Sequence, residues 1–331
     1  MTLPRRQLAS LIAAEPVLRF SRAALSRARA ASLMYHEVLS DGDVHDCWTV
    51  VRESEFRAQM IYLREHFDVL SLDEVIRRMR EPVRSERCMA TISLDDGYLG
   101  SRNIVWPIVE ALSVPITIFV STAAIQNHSF FWFDRIIAAL LWKDARKIDL
   151  RAWGLHVYRL AEHPSGEGRW MQIQRVLTDL RRLPSDALDQ AVLAVTEQAR
   201  YSPMNLHPLP LLKATDIREM AQSDLITFGA HSHCHRDLTQ ISDDEVRESV
   251  LRSKQLVEEW TGKAVRHFAY PHGLFDPRVA RIVHECGFES SQATSPRLWR
   301  RSDSLLAIPR LSVGRYDSFA QFRMRVSGLP F

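Results

Sequence analysis

The sequence predicts an α/β fold, a distorted (β/α) barrel of about seven strands that carries a helical insertion. Short apolar runs alternate with amphipathic helical patterns along residues 31–125 and again along residues 216–315, which is the rhythm of βα units and a parallel sheet. Polar side chains follow several of these runs directly, as they do where parallel strands end at one edge of a sheet. About seven βα-type elements can be counted, enough to close a barrel or nearly close it.

The composition is that of a folded protein with no strong net charge. With 331 residues and 46% hydrophobic side chains, the chain can bury a large core, which excludes disordered and fibrous classes. Its 43 Lys and Arg against 40 Asp and Glu leave a formal charge of +3, which is too balanced to indicate a nucleic-acid partner.

We expect neither a membrane span nor a secretion signal. No apolar run reaches the ~18 residues that a transmembrane helix needs. The apolar run at residues 8–14 is short and is followed by Glu15 and Pro16. The four cysteines include no C-x-x-C pair, which indicates neither a zinc knuckle nor a disulfide framework. These features predict a reducing, cytoplasmic setting.

Residues 1–30 form a basic helical leader. They hold six arginines against one acid, Glu15. Two interpretations stay open: a helix lying on an anionic membrane surface, and a solvated amphipathic helix. The predicted barrel domain covers residues 31–125 and 216–331, and the predicted helical insertion covers residues 126–215.

The first half of the chain alternates strands and helices. The helix that begins near Ser71 is marked by a capping box of Ser71 and Glu74. In order, we predict a strand at 31–35, a helix carrying Phe56, Met60 and Leu63, a strand at 69–70, the helix after Ser71, and then strands at 89–94 and 115–120 on either side of a helix at 101–112.

The alternation is lost from about residue 123 to residue 215 and then returns. The intervening stretch has an aromatic cluster at 130–133, which either packs against the barrel domain or stacks on sugar rings, and Arg-rich helical patterns at 170–183 and 187–199. Beyond it we predict strands at 225–228, 267–270, 289–294 and 306–313, a helix opened by the capping box of Ser242 and Glu245 and ended near Gly262, and a helix opened by Asp276 and Pro277.

The stretch around which the chain is organised is the strand at 89–94, because two carboxylates, Asp95 and Asp96, follow it directly. At the carboxyl edge of a parallel sheet, side chains converge on one crevice, so these two are candidate site residues. The alternative is a polar strand end followed by an Asp-Gly turn at Gly97.

Three histidines, His231, His233 and His235, follow a later strand. On an extended segment all three would face one side, and in a helical turn His231 and His235 would meet. Either geometry can place His231 and His235 on one metal ion, with Asp96 as the natural third ligand; two imidazoles and a carboxylate suit Zn²⁺, Co²⁺ or another first-row divalent ion. The alternative is a chance histidine cluster in a polar loop.

Four segments resemble a known family. Residues 93–97, SLDDG, resemble the TFDDG motif of polysaccharide deacetylases, the NodB-type domain of carbohydrate esterase family 4. Residues 231–235, HSHCH, resemble its H-S/T-x-x-H motif, and residues 268–273, FAYPHG, resemble the third motif of its F-A-Y-P branch. Residues 33–36, LMYH, are similar to the segment before the first motif of that branch. The segments occur in the family's order, and the resemblance covers residues 31–125 and 216–315.

The resemblance implies a role for each matching residue. Asp96, His231 and His235 would bind a divalent metal, Zn or another first-row ion such as Co. Asp95 would be the general base, and the backbone N–H of Tyr270 would stabilise the oxyanion.

His36 would be the general acid, because the late L-x-x-H motif that supplies this acid in many members has no counterpart after His284. The family often places an arginine three residues before the third-motif tyrosine to orient the base. That position holds His267 here, with Arg266 beside it. His233 and His272 are expected to pack near the site without binding the metal.

The implied function is metal-dependent removal of N-acetyl groups from N-acetylated amino sugars of a poly- or oligosaccharide or its precursor, in bacterial surface or extracellular polysaccharide biosynthesis. Two alternatives are an O-acetyl esterase, which would depend less on His36, and a carbohydrate-binding member of the fold without activity. The expected partner is an N-acetylated carbohydrate. In the cytoplasm it would be a nucleotide-linked or lipid-linked sugar, with residues 1–30 holding the enzyme at the inner membrane face.

Overall fold

The structure is a computed structural model that describes residues 14–25, 29–45, 47–81, 87–141, 145–161, 167–202 and 206–329. The strands of the described residues are β1 Arg29–Tyr35, β2 Glu37–Leu39, β3 Val50–Arg52, β4 Asp68–Val69, β5 Met89–Leu94, β6 Ile116–Val120, β7 Lys147–Asp149, β8 Val157–Arg159, β9 Ile226–Ala230, β10 His267–Ala269, β11 Ser290–Thr294, β12 Trp299–Arg300 and β13 Ile308–Ser312.

Seven parallel strands close into a barrel in the order β1, β13, β11, β10, β9, β6, β5 and back to β1. The closing pair β1 and β5 runs in register from Ala30 opposite Met89 to Tyr35 opposite Leu94. β12 pairs antiparallel with the start of β1, and β4 pairs with the start of β5. Helices surround the strands, so the predicted (β/α) barrel of about seven strands is confirmed.

The α-helices of the described residues are α1 Glu15–Leu25, α2 Glu53–His66, α3 Leu72–Arg80, α4 Trp106–Leu112, α5 Thr122–Gln126, α6 Trp132–Leu141, α7 Glu167–Leu180, α8 Ser185–Gln198, α9 Ala214–Met220, α10 Asp243–Thr261, α11 Pro277–Glu285 and α12 Phe319–Val326. None of them is long and apolar enough to cross a membrane.

Several helix ends follow the capping residues predicted from the sequence. The hydroxyl of Ser71 accepts a hydrogen bond from the Glu74 N–H at the start of α3. Ser242 and Glu245 form a reciprocal capping box on α10, which ends at Gly262 with φ of 67°. The carboxylate of Asp276 accepts from the Val279 N–H at 2.7 Å, so α11 begins at Pro277 as expected.

The barrel interior is filled by side chains that the parallel register turns inward. Phe119 of β6 lies opposite Gly229 of β9 and is fully buried. A Cβ on Gly229 would come within 2.5 Å of the Phe119 ring, so this position needs glycine for space. The aromatic ring thereby fills the centre of the barrel below the carboxyl ends of the strands.

The chain divides into two compact units. The first contains the barrel, residues 1–43, 48–127 and 212–331, and the second contains residues 44–47 and 128–211. Within the first unit, the described residues of the leader are 14–25, which contain α1, and 29–30, which begin β1, while residues 1–13 and 26–28 lie outside the described residues. The predicted boundaries at 30, 126 and 215 remain predictions of the domain organisation.

The second unit, taken by itself, is built from α6, α7 and α8 and from the β7–β8 hairpin. Its buried Arg169 donates to the carbonyl oxygens of Leu140 at 2.7 Å and Ala145 at 3.0 Å. Helices were predicted in this stretch, but the hairpin was not.

Candidate active site

The two carboxylates lie immediately beyond β5. The Asp95 N–H continues the sheet by donating to the Tyr35 carbonyl at 2.9 Å, and the chain then turns sharply through Asp96 and Gly97, whose φ angles are 73° and 86°. A Cβ on Gly97 would come within 2.9 Å of Val120, so the turn needs glycine for both conformation and space. Both carboxylates are buried as a result.

The histidine loop begins where β9 ends. The His231 N–H donates to the Val120 carbonyl at 3.0 Å, and the loop then bends through left-handed backbone at Ser232, φ 64°, and His235, φ 51°. The Ser232 hydroxyl accepts from the His235 N–H at 3.1 Å and braces the bend. The loop is therefore neither the extended segment nor the helical turn considered above, yet it brings His231 and His235 together.

Asp96, His231 and His235 form a compact buried cluster. One Asp96 oxygen, Oδ1, lies 3.1 Å from Nε2 of His235 and 3.5 Å from Nε2 of His231. One ligand atom from each residue can be chosen so that all lie within 4.8 Å of one another. Burial would raise the pKa of Asp96, but His235, His36 and His231 together hold it well below its ordinary value.

The chemistry of this donor set fits a bound cation. His231 Nδ1 lies 2.8 Å from the Ala269 carbonyl, which can only accept a hydrogen bond, so Nδ1 carries the proton. Burial lowers the pKa of His231 to about 4, so its Nε2 presents a lone pair. That lone pair faces the Oδ1 of Asp96, which is buried and receives no well-aligned hydrogen bond from the described residues. Two electron-rich atoms in this arrangement are stabilised by a metal ion between them.

Asp95 is held by a bidentate ion pair with Arg310 of β13. Arg310 Nη1 donates to Oδ1 at 2.6 Å and Nη2 donates to Oδ2 at 2.7 Å. Arg310 is fully buried, also donates to the Ser93 hydroxyl at 3.1 Å, and lies 5.6 Å from the centre of the Phe119 ring. Burial alone would raise the pKa of Asp95, but Arg310, with His231 beside it, lowers it below its ordinary value.

His267, which holds the position three residues before the third-motif tyrosine, and its neighbour Arg266 do not contact Asp95. His267 is buried and pairs through Nε2 with Asp73 at 3.0 Å and through Nδ1 with the Ser290 hydroxyl at 2.9 Å. Arg266 pairs with the same Asp73 at 2.6 Å. Sequence reasoning therefore missed Arg310, whose only signal was a single arginine inside an otherwise apolar strand.

His36 lies at the end of β1, next to the two carboxylates. Its ring contacts Trp48 edge to face at 5.2 Å. Its Nδ1 is buried and makes no hydrogen bond within the part of the chain that the structure describes. Burial lowers the pKa of His36, and the opposing charges of Asp96 and Asp95 only partly offset this. His36 thus combines proximity to Asp95 and Asp96 with partial access to solvent.

The backbone N–H of Tyr270, predicted to stabilise the oxyanion, donates in this structure to the Gln292 carbonyl at 3.0 Å and continues the β10–β11 pairing. Its role at the oxyanion stays a prediction. The buried Tyr270 side chain donates its hydroxyl to the Leu306 carbonyl at 2.9 Å and stacks on Phe275. Tyr270 is a packing residue of the strand end in this structure.

The two remaining histidines lie around the cluster. The His272 ring is 4.7 Å from the His235 ring. His233, between the two metal-ligand candidates, instead shares a hydrogen bond between its Nδ1 and the Thr122 hydroxyl at 2.8 Å. The loop therefore separates His233 from the side chains that face Asp96.

Comparisons with known proteins agree with this site. The profile of the polysaccharide deacetylase family matches residues 83–291. No curated protein matches the chain.

Several solved structures share the fold at low sequence identity. The Streptococcus pyogenes deacetylase PplD, in complex with acetate, has a TM-score of 0.60 and 15% identity, covering 90% of this chain and 98% of that one. A de-N-acetylase from Aggregatibacter actinomycetemcomitans has a TM-score of 0.56 and 14% identity, covering 90% and 99%. IcaB from Ammonifex degensii has a TM-score of 0.56 and 17% identity, covering 91% and 98%.

The family profile spans more than half of the chain and includes both the Asp95-Asp96 turn and the histidine loop. With the barrel and the buried cluster, it establishes that this chain belongs to the polysaccharide deacetylase family.

Proposed function

We propose that the chain is a metal-dependent hydrolase that removes N-acetyl groups from N-acetylated amino sugars of a poly- or oligosaccharide or its precursor, in the biosynthesis of a bacterial surface or extracellular polysaccharide. The observation that carries the proposal is the pairing of two buried carboxylates with different partners. Asp96 faces two imidazoles, whereas Asp95 is held by Arg310. This difference in partners supports a metal-binding role for Asp96 and a role as general base for Asp95. The de-N-acetylase and the acetate-bound deacetylase among the similar structures support this choice.

Asp96, His231 and His235 would hold the metal ion, Zn or another first-row ion such as Co. Bound there, the ion would supply Lewis acidity at the acetyl carbonyl and lower the pKa of a reacting water. The protein's own contribution is the orientation of the ligands. The Ala269 carbonyl fixes the tautomer of His231, and Ser232 braces the backbone of His235.

Asp95 would accept the proton of the attacking water. Arg310 keeps the carboxylate ionised and fixes its plane through two hydrogen bonds, so position compensates for the weak basicity of a carboxylate. The water oxygen then forms a bond to the acetyl carbon.

His36 would deliver a proton to the amide nitrogen as its bond to the acetyl carbon breaks, giving a free amine and acetate. Burial lowers the pKa of His36, and the nearby Asp96 and Asp95 oppose this by favouring the protonated ring, which Trp48 contacts edge to face. Because an alkoxide leaves more easily than an amine anion, an O-acetyl esterase would need this proton less. Full activity of a His36→Ala variant would favour the esterase.

The first experiment measures metal content and acetate release on the same samples. We expect about one first-row ion per chain in the wild type, with the ion and acetate release from N-acetylated oligosaccharides both lost in Asp96→Ala and His231→Ala. His233→Ala is the matched control, because this histidine lies in the same loop but contacts Thr122. It should keep both.

Two outcomes would contradict the proposal. If the wild type binds no metal even after reconstitution, the metal-dependent mechanism fails. Metal binding without release of acetate from any N-acetylated or O-acetylated carbohydrate would indicate the alternative, a carbohydrate-binding member of the fold without activity.

We also propose that the enzyme works in the cytoplasm at the inner membrane face. Cys88, Cys234 and Cys286 are free thiols, which suits a reducing compartment. Fractionation of cells that express the full chain should recover it with cytoplasm and inner membrane, and recovery outside the cytoplasm would contradict this location.

A further inference from the structure

Helix α1 is fixed to the barrel unit through one face. Leu18 is fully buried and packs in a cluster with Met324 of α12. The buried Arg22 donates to the Tyr62 hydroxyl at 2.7 Å and to the Ser327 hydroxyl at 3.2 Å. The Ser21 hydroxyl donates to the Ser327 carbonyl at 2.7 Å. The helix is therefore an ordered part of the domain and cannot be regarded as a loose leader.

The opposite face of α1 presents apolar side chains to solvent. Phe20 is 78% exposed and Val17, one turn before it, is 45% exposed. Phe319 of α12 is 43% exposed, and the centre of its ring lies 5.8 Å from the centre of the Tyr62 ring. The hydroxyl of Tyr62 accepts the hydrogen bond from Arg22. We call the exposed side chains of Val17 and Phe20 the Phe20 face. Leaving a Phe largely in water is unfavourable, so this face is suited to an apolar environment.

The charge around the Phe20 face indicates which environment it meets. Residues 1–30 carry six arginines and one acid, Glu15. Glu15 pairs with Arg22 and with Arg323, so the one negative charge is neutralised inside the domain. Arg19, next to Phe20, is exposed. A helix that exposes Val17 and Phe20 beside Arg19, within an arginine-rich leader, matches the interface of an anionic lipid bilayer, where the ring enters the headgroup boundary and the guanidinium group meets lipid phosphates.

The contacts of α1 also indicate at which end of the barrel the Phe20 face lies. Arg22 lies 5.6 Å from the centre of the Phe67 ring, and Phe67 directly precedes β4, whose Asp68 pairs with Met89 at the start of β5. The catalytic carboxylates follow the other end of β5, roughly 17 Å away along the strand. We propose that the Phe20 face docks the enzyme on an anionic bilayer from the end of the barrel opposite the active site. This proposal does not depend on the reaction proposed above.

Flotation of the full chain with phosphatidylcholine vesicles, with and without phosphatidylglycerol, tests the proposal. We expect the wild type to float only with the anionic vesicles and less at high salt. Phe20→Ser should lower the partition constant roughly tenfold or more, because a Phe side chain is no longer buried in lipid. Leu193→Ser, at an exposed leucine of α8 in the other unit, is the matched control and should bind as the wild type.

A Phe20→Trp variant adds a direct probe, and its fluorescence should shift to shorter wavelength with anionic vesicles. Deleting the leader is a poorer test, because it would also remove Leu18 and Arg22 from the domain. Absence of flotation in the wild type would overturn the proposal, as would equal binding by Phe20→Ser and the wild type. Self-association that Phe20→Ser abolishes, without binding to vesicles, would instead assign the face to a second copy. Acetate release from a soluble N-acetylated oligosaccharide should be the same in all variants, which separates this result from the test of the reaction.

Discussion

Asp95 and Arg310 are separated by 215 residues in the chain, yet they form the most completely buried ion pair of the site. Such a pair costs free energy to form, because both charges leave water. Its role here is to fix the orientation of the Asp95 carboxylate. Two parallel hydrogen bonds fix the plane of the carboxylate, and the Phe119 ring lies beneath the guanidinium group. Arg310 thus performs the orienting role that the sequence suggested for the third motif.

Replacing Arg310 should therefore impair catalysis. We expect Arg310→Met to lower kcat/KM for acetate release by about 10- to 100-fold, because Asp95, the proposed base, loses its orientation, with Arg310→Lys between it and the wild type. Arg266→Met is the matched control, since Arg266 is half exposed and pairs with Asp73. The activities should be compared at a temperature at which circular dichroism shows every variant to be folded. Activity of Arg310→Met within twofold of the wild type would remove Arg310 from the mechanism.

Sequence reasoning located the residues of the site that lie in short local motifs. Asp95, Asp96, His231 and His235 each follow a predicted strand, and the structure brings them together. Arg310 lies outside the span that matches the family profile, and its pairing with Asp95 depends on the closing of the barrel, which no local pattern records. The hydrogen bond of the Tyr270 N–H to Gln292 likewise depends on the pairing of β10 with β11, which no local pattern records.

Among the elements, β6 and β9 show how closely neighbouring strands must fit below the site. Phe119 lies opposite Gly229, and its ring occupies the space that a side chain at 229 would need. A Cβ there would also come within 2.9 Å of the His267 carbonyl on β10. Since the interior is close-packed, neither neighbour can move freely.

Gly229→Ala should destabilise the protein by about 1–3 kcal/mol, because an added methyl group overpacks the barrel interior. Thermal unfolding measures the change, and a second substitution, Phe119→Leu, should recover part of it by making room. Gly42→Ala is the control, since nothing lies within 4 Å of a Cβ at Gly42. Equal unfolding temperatures for Gly229→Ala and Gly42→Ala would show that the barrel relaxes around the methyl group.

Elements with strong local signals could be predicted, and those without them could not. The helices after Ser242 and Asp276 begin where their capping residues predicted. The β7–β8 hairpin was missed because each strand has three residues and only one of them is buried, which is too short for an alternating pattern.

At the scale of the whole molecule, Asp73 links a helix to the barrel across 194 residues. It lies in the first turn of α3 and pairs with the buried His267 and with Arg266 at the start of β10. Burial would raise the pKa of Asp73, but these partners hold it below its ordinary value. The ionised form is therefore favoured in the folded state.

Stability should consequently depend on the charge of Asp73. We expect Asp73→Asn to reduce the free energy of unfolding by about 1 kcal/mol or less near neutral pH, given the partial exposure of the pair. A lowered folded-state pKa stabilises the protein above the unfolded pKa, and this contribution is lost as the pH falls through the folded value. Urea unfolding of both proteins from pH 7 down to about pH 3 should show the difference becoming smaller toward the acidic end. A difference that stays constant with pH would show that the charge is not involved.

The number of strands and the parallel arrangement followed from counting βα units, but the way in which the barrel closes did not. Closure depends on β1 pairing with both β5 and β13, and a pairing between strands far apart in the sequence leaves no trace in local periodicity.

The pairing of β1 with β13 has a consequence for biosynthesis. A nascent chain on the ribosome has made β1 and β5, with Asp95, long before Arg310 emerges, so the barrel stays open and the carboxylate lacks its partner until β13 has been made. At ~5–20 residues per second, this interval lasts ten seconds or more. During that time the strand edges beside β1 are exposed, and they are the surfaces on which a chaperone would act and misassembly would begin.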